Sequence, residues 1–267
     1  MPAMNDAPIA LITGGTRGIG RSLSLRLAKR GWDVAATYRR DADAAKSLED
    51  EIAKLGRKCL TIVADQLQED AMPKAADAVK ARFGRLDAFV ANAASTAFVP
   101  LLDTKAHQID KTVNVTIKTF ILGVQAMIPL MDKGGSIVMV SGADSIQPMP
   151  FHGLLGACKG ALEVLVKYFA IDLADRKIRV NGVNPGFVAT DSSRFYMGPA
   201  FDKMAEAVKE FLPAGHAASP DEIAAAVELM LMPEASYING QTVIVDGGLS
   251  ISYLMHFAQD VARRSSS

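Results

Sequence analysis

The sequence predicts an α/β fold: a doubly wound parallel sheet of about seven strands with helices on both faces. Two observations point to it. Short apolar runs, IALIT, VAATY, LTIVA, AFVA, SIVMVS, IRVNGVN and TVIVD, alternate with longer amphipathic segments such as 18–30, 69–83 and 108–131. The runs stay apolar at both parities, as strands buried on two faces do, and the segments between them are long enough for crossover helices. With 267 residues, 49% of them apolar, the chain can bury one substantial core, so a single domain over 1–267 is expected.

Taken in order, the first run leads into a glycine-rich turn and the helix 18–30, and each later run is separated from its helix by breakers: LGRK, DKGGS, NPGF and SPDE. Asp221 and Glu222 after Ser219-Pro220 read as an acidic helix start. Residues 187–218, with Gly198, Pro199, Pro213 and Gly215, fit neither strand nor helix throughout and are expected to form a lid.

Composition excludes several classes of function. Formal net charge is zero and no basic stretch alternates with aromatics, so the expected partner is a small molecule and not a nucleic acid. No apolar run reaches the roughly 18–20 residues of a spanning helix, and the first residues lack a signal peptide's pattern. A cytoplasmic protein without a membrane partner is expected. Cys59 and Cys158 have no metal-ligand spacing and imply neither a disulfide nor a metal site; both read as buried small apolar residues.

The stretch IALITGGTRGIGRSLSLRLAKRG runs strand, glycine turn, helix. Gly14, Gly18 and Gly20 let the backbone turn tightly around Thr16, Arg17 and Ile19 and approach a pyrophosphate resting on the helix amides, the arrangement of a dinucleotide site. After the second strand, where a carboxylate would bind the ribose 2′-hydroxyl of NAD, stand Arg39 and Arg40. Arginine suits a 2′-phosphate, so together with Arg17 they favour NADP(H), the alternative being that they are solvated surface charges. Asp65, followed by Gln66, stands after the third strand, either to accept from the adenine amino group or to cap the next turn.

These residues, with ANAAS at 91–95, VNV at 113–115, Lys159, VNPGFVAT at 183–190 and INGQTVIVDGG at 238–248, resemble the short-chain dehydrogenase/reductase superfamily over nearly the whole chain. The resemblance implies a Rossmann-type domain. It puts Asn92 and Ala93 along the adenine-ribose side of the cofactor, and Pro185, Gly186, Val188 and Thr190 around the nicotinamide and its phosphate. It makes Asn114 the holder of a water in a proton relay and Lys159 the donor to the nicotinamide ribose hydroxyls. It also implies a homodimer or homotetramer built on 108–131 and 152–174; Gly156, Ala157, Gly160 and Ala161 suit close helix approach, and GGLSISYLMHF suits the cover of a neighbouring subunit.

The departures carry the most information. The family's usual tyrosine, four residues before the lysine, is Leu155 here, and the serine about thirteen residues earlier is Gly142, with Ser141 and Ser145 close by. Enoyl-thioester reductases of the enoyl-acyl-carrier-protein reductase III type have their tyrosine seven residues before the lysine, and IVMVSGADSIQPMPFHGLLGACKGALE is similar to that type. At that place stands His152. On one helix a seven-residue step puts His152 and Lys159 on the same face about 10 Å apart. Histidine can donate to a thioester carbonyl as charge develops on it, or be a mere cap or packing residue. Tyr196, in the expected lid, either supplies a donor on closure or packs; Tyr168 turns away from Lys159 toward core or interface.

Three readings follow: an NADPH-dependent reductase of an enoyl thioester on acyl carrier protein or CoA, as in fatty acid biosynthesis; a carbonyl or alcohol oxidoreductase with an unusual substrate; or a nucleotide-binding member without catalysis.

Overall fold

Ile9–Ile12 form the first strand, β1, with every residue buried, and the chain then turns at glycines into the helix α1 (Gly18–Lys29). The computed structural model describes residues 7–95 and 98–252. The alternation continues with β2 (Asp33–Tyr38), α2 (Ala42–Lys54), β3 (Cys59–Val63), α3 (Ala71–Phe83), β4 (Ala88–Ala91), α4 (Ala106–Val113), α5 (Thr119–Met127), β5 (Gly135–Val140), α6 (Gly153–Asp172), β6 (Ile178–Pro185), α7 (Asp191–Met197), α8 (Ala200–Phe211), α9 (Pro220–Leu231) and β7 (Thr242–Val245). The strands form one parallel seven-stranded sheet in the order β3-β2-β1-β4-β5-β6-β7.

Strand parity divides the core. Leu11, Phe89, Ile137 and Val180 face α3, α5 and α6, whereas Ala10, Ile12, Val90 and Val138 face α1 and α9. The order reverses between β1 and β4, so a crevice opens beyond the carboxyl ends of these two strands, where ligands of such sheets bind.

The segment 187–218 carries two helices, α7 and α8, the first started by Thr190, whose hydroxyl accepts from the Ser193 amide. Contrary to the expectation that no segment is long and apolar enough to span a membrane, the stretch Ala106–Leu130 is 25 residues long and holds an 18-residue window of mean hydropathy 1.4. Its Val115, Phe120, Val124 and Met127 are buried, and a π-turn at Asn114–Lys118 breaks its regular rise. Cys158 is buried but Cys59 only half-buried; neither is paired, and burial pushes both thiols up, that of Cys59 to about 12. Ser219 caps α9 by accepting from Glu222 in a capping box, the acidic start read from the sequence. The chain beyond Ser252, including the end of GGLSISYLMHF, lies outside the described residues.

Candidate active site

The glycine turn is dictated by space and backbone conformation. Gly14 and Gly18 have φ of +64° and +53°, and a Cβ at Gly20 would stand 2.2 Å from the Gly14 carbonyl oxygen. The helix α1 begins with no side-chain cap and no acidic residue in its first turn, which leaves the N-terminal amides to an anion. Thr13 Oγ1 accepts from the amides of Asn92 at 2.9 Å and Ala93 at 3.1 Å, and Asn92 Nδ2 donates to the Thr13 carbonyl at 3.0 Å. Thus β4 is tied to β1 at the mouth of the crevice. Thr190 lies over Gly18, its Cγ2 3.8 Å from where a Cβ would be, and Val188 pairs with Ala218 behind it. Thr16 is buried under the turn, while Arg17, Arg39 and Arg40 are exposed around its rim. Asp65 accepts from the Leu67 amide at 3.1 Å, the turn-capping alternative of the sequence reading. The cradle fits a dinucleotide because the volume that side chains would fill is kept open by glycines.

The second half of the site is built on the start of α6. Phe151 has a φ of +67°, a strained conformation for a bulky residue, and the chain enters the helix at His152. His152 does not cap the helix with its side chain. Its Nδ1 lies 3.2 Å from Asp144 Oδ2, and its ring packs against Phe98 with centroids 4.4 Å apart. Phe98 in turn meets Tyr196 of α7 edge-on at 4.7 Å. Two turns along α6, Lys159 is buried and donates to the Val140 carbonyl at 2.7 Å. Burial lowers its pKa to about 8, with Asp144 foremost among the groups that oppose the shift, followed by Cys158 and Glu163. A cavity of about 10 Å³, room for one water, lies beside Lys159 and is lined by Gln66, Ala93, Thr116 and Thr119. Thr116 Oγ1 is buried there without a partner.

Candidates from the sequence are therefore partly assembled. Gly14, Asn92 and Ala93 are in contact, Gln66 and Ala93 reach the cavity of Lys159, and His152 and Tyr196 share Phe98. Asn114 instead lines a separate cavity with Gln66 and Lys118, its carbonyl accepting from Thr119 Oγ1 at 2.8 Å. Ser141 is buried and donates to Glu163 at 2.5 Å, a carboxylate that also accepts from Ser145 and Asn184. That cluster fastens β5 and β6 to α6 and engages the serine hydroxyl with Glu163. Gly156 is small for a reason inside the chain: a Cβ there would stand 2.3 Å from the Asp144 carbonyl oxygen. Asp144 and Glu163 escaped the sequence reading. Their only signal was two acidic residues on either side of His152 and Lys159, and no spacing rule joins a loop carboxylate to a histidine eight positions on.

The comparisons agree with this geometry. The family model described as Enoyl-(Acyl carrier protein) reductase matches residues 14–250. The chain belongs to this short-chain dehydrogenase/reductase family. Among its relatives in the family is 1-cyclohexenylcarbonyl-CoA reductase of Streptomyces collinus, 38% identical over 91% of this chain and 87% of the other. Another is hydroxynaphthalene reductase-like protein Arp2 of Metarhizium brunneum, 30% identical over 90% of this chain and 94% of that one. A short-chain dehydrogenase of Burkholderia cenocepacia, solved in complex with NADP, superposes with a TM-score of 0.85 at 35% identity, covering 92% of this chain and 99% of the other. Measured against the family's usual pattern, this short-chain dehydrogenase/reductase has no hydroxyl at residues 142 and 155 and carries an imidazole at 152.

Proposed function

We propose that the protein is an NADP(H)-dependent reductase of enoyl thioesters carried on CoA or acyl carrier protein. The observation that carries the reading is the polar equipment of α6: Lys159 buried at the crevice, His152 seven residues earlier against Asp144, and only the apolar Leu155 at the usual tyrosine's position. Bound in the crevice, the reduced nicotinamide would supply a hydride. The glycine turn and the α1 amides would hold its pyrophosphate, Arg17, Arg39 and Arg40 its 2′-phosphate, and Lys159 its ribose hydroxyls.

Hydride addition to the β-carbon of an enoyl thioester pushes negative charge onto the carbonyl oxygen. A donor at that oxygen is then required chiefly for electrostatic stabilisation. His152 meets that requirement; ketone reduction, which needs a proton delivered to an alkoxide, is poorly served by Gly142 and Leu155. A relative named for a cyclohexenylcarbonyl-CoA, an alkene joined to a thioester carbonyl, supports the same substrate class. Exposed apolar side chains near the start of α6, Leu101 against Gly153 and Phe195 against Tyr196, suit an acyl chain. We also propose a homodimer, supported by the exposed stripe Val164, Tyr168 and Ile171 on α6.

The test is single-turnover NADPH oxidation with crotonyl and acetoacetyl thioesters. Wild type should oxidise NADPH with the crotonyl ester, and His152→Ala should lose that turnover by about 100-fold with NADPH affinity retained. Turnover on the acetoacetyl ester alone would move the protein to carbonyl reduction, and tight NADPH binding without turnover of either ester would argue for a non-catalytic role.

A further inference from the structure

We infer that the crevice is shaped for acyl groups that carry an aryl ring, and that Phe98 is the residue that selects them. The inference deepens the reading of the protein as an enoyl-thioester reductase and rests on it for the place of the thioester. It starts from a run of ring contacts that leaves the start of α6 and ends at the surface. Phe98 packs on His152 with centroids 4.4 Å apart and planes tilted by 48°, and it meets Tyr196 edge-on at 4.7 Å. Tyr196 in turn meets Phe195 edge-on at 5.4 Å. The rings come from three connections at one end of the sheet: Phe98 follows β4, His152 follows β5, and Tyr196 follows β6. These strands are parallel neighbours, so their carboxyl ends point the same way and the ring run crosses the mouth of the crevice.

The run is not core packing. Phe98, Tyr196 and Phe195 belong to neither half of the core, and α7 buries none of its residues. Exposure rises outward, from the half-buried Phe98 to Tyr196 at 49% and Phe195 at 82%. Yet the rings are held in place. A Cβ at Gly153 would stand 2.7 Å from Leu101 Cγ, so the connection that carries Phe98 sits down on the first residue of α6. Behind Tyr196, the Arg194 guanidinium lies over the Phe201 ring at 4.2 Å, and the buried Phe201 stacks on Phe187. Rings already fixed lose little freedom when a ligand arrives. With the thioester carbonyl at the start of α6, a substituent on the β-carbon extends beyond the carbonyl and along these rings. An aryl group there pairs with Phe98 and Tyr196 by edge or offset contact, whereas an alkyl group of the same size gains only the burial of its area. Conjugation also keeps the aryl ring in the plane of the enoyl group, so it meets the fixed rings in one orientation. Two aromatic pairs amount to about a tenfold difference in affinity.

The experiment is calorimetric titration of the full chain, saturated with NADP+ so that no hydride is transferred, with cinnamoyl-CoA, 3-cyclohexylacryloyl-CoA and crotonyl-CoA. NADPH turnover of the same esters is measured alongside. Cinnamoyl-CoA should bind about tenfold more tightly than 3-cyclohexylacryloyl-CoA, whose ring has a similar size and no π electrons. Phe98→Leu should keep less than half of that ratio, with the affinities for crotonyl-CoA and NADP+ changed less than about threefold. Should Phe98→Leu fail to fold, Tyr196→Leu, on the helix that buries none of its residues, removes the second pair and is held to the same criterion. The proposal is overturned if the wild-type ratio is below about fivefold, or if the variant keeps more than half of it. The two ideas fail separately because binding is read apart from turnover. An aryl preference that depends on Phe98, with no turnover of any ester, removes the reductase reading and leaves the aryl subsite. Turnover of crotonyl-CoA without an aryl preference removes the subsite alone, and absence of binding by all three esters removes both.

Discussion

Lys159 is a charged group held where charge is unfavourable, and its energetics follow from that. Its pKa falls from 10.5 to about 8 because burial penalises the ammonium more than Asp144, Cys158 and Glu163 reward it. Between these values the unfolded chain binds more protons than the folded one, so this residue's destabilising contribution is full below about pH 8 and is relieved as pH rises toward 10.5. Lys159→Met should therefore raise the unfolding free energy by roughly 1–2 kcal/mol at neutral pH, less than the full shift because the Val140 carbonyl loses its donor. Urea titrations should find that gain shrinking once the pH passes about 8, while NADPH oxidation is absent throughout. A variant less stable than wild type at neutral pH would contradict the burial argument. In wild type, NADPH affinity should weaken as pH rises through about 8, because the neutral amine is a poorer partner for the ribose hydroxyls.

At the scale of elements, the start of each functional helix is shaped by what approaches it. The α1 start must admit a pyrophosphate, and Gly20 packs against the Gly14 carbonyl. Gly20→Ala forces a contact at 2.2 Å that backbone cannot yield cheaply. It should cost about 1–3 kcal/mol of stability and abolish measurable NADPH binding, read by thermal unfolding and by fluorescence titration. The other end of the same helix is held by Glu228 of α9, which is buried and paired with both Arg26 and Arg30. Replacing Glu228 by Leu removes the buried anion and leaves Arg26 with Asp221 and Arg30 to solvent. The loss should be about 1–3 kcal/mol, with NADPH affinity changed far less than in Gly20→Ala, because Glu228 pairs with the end of α1 away from the glycine turn.

For the whole molecule, the faces that the fold does not cover are as informative as those it does. Val164, Tyr168 and Ile171 lie on one stripe of α6 at 50%, 64% and 76% exposure, more apolar surface than a helix packed on a sheet ordinarily leaves to water. Tyr168→Glu with Ile171→Glu should convert the proposed homodimer to monomer in light scattering. An unchanged mass would move the interface elsewhere on the surface. The crevice depends on the sheet order, because it opens where that order reverses, between the carboxyl ends of β1 and β4.

The sequence by itself determined the parallel sheet, the helix positions and the glycine cradle, because apolar periodicity and glycine conformational freedom are local properties. It also marked the helix that carries Lys159, although His152, read as lying on that helix, stands just before its first residue Gly153. Only the tertiary structure brought Asp144 to His152, joined Ser141 to Glu163, and gave the segment 187–218 its two helices. Those outcomes turn on how loops fold back over strand ends and which buried charges meet there. No periodicity in the chain encodes them, because a buried carboxylate finds its partner by excluding water from both, a property of the packed molecule and not of the segment.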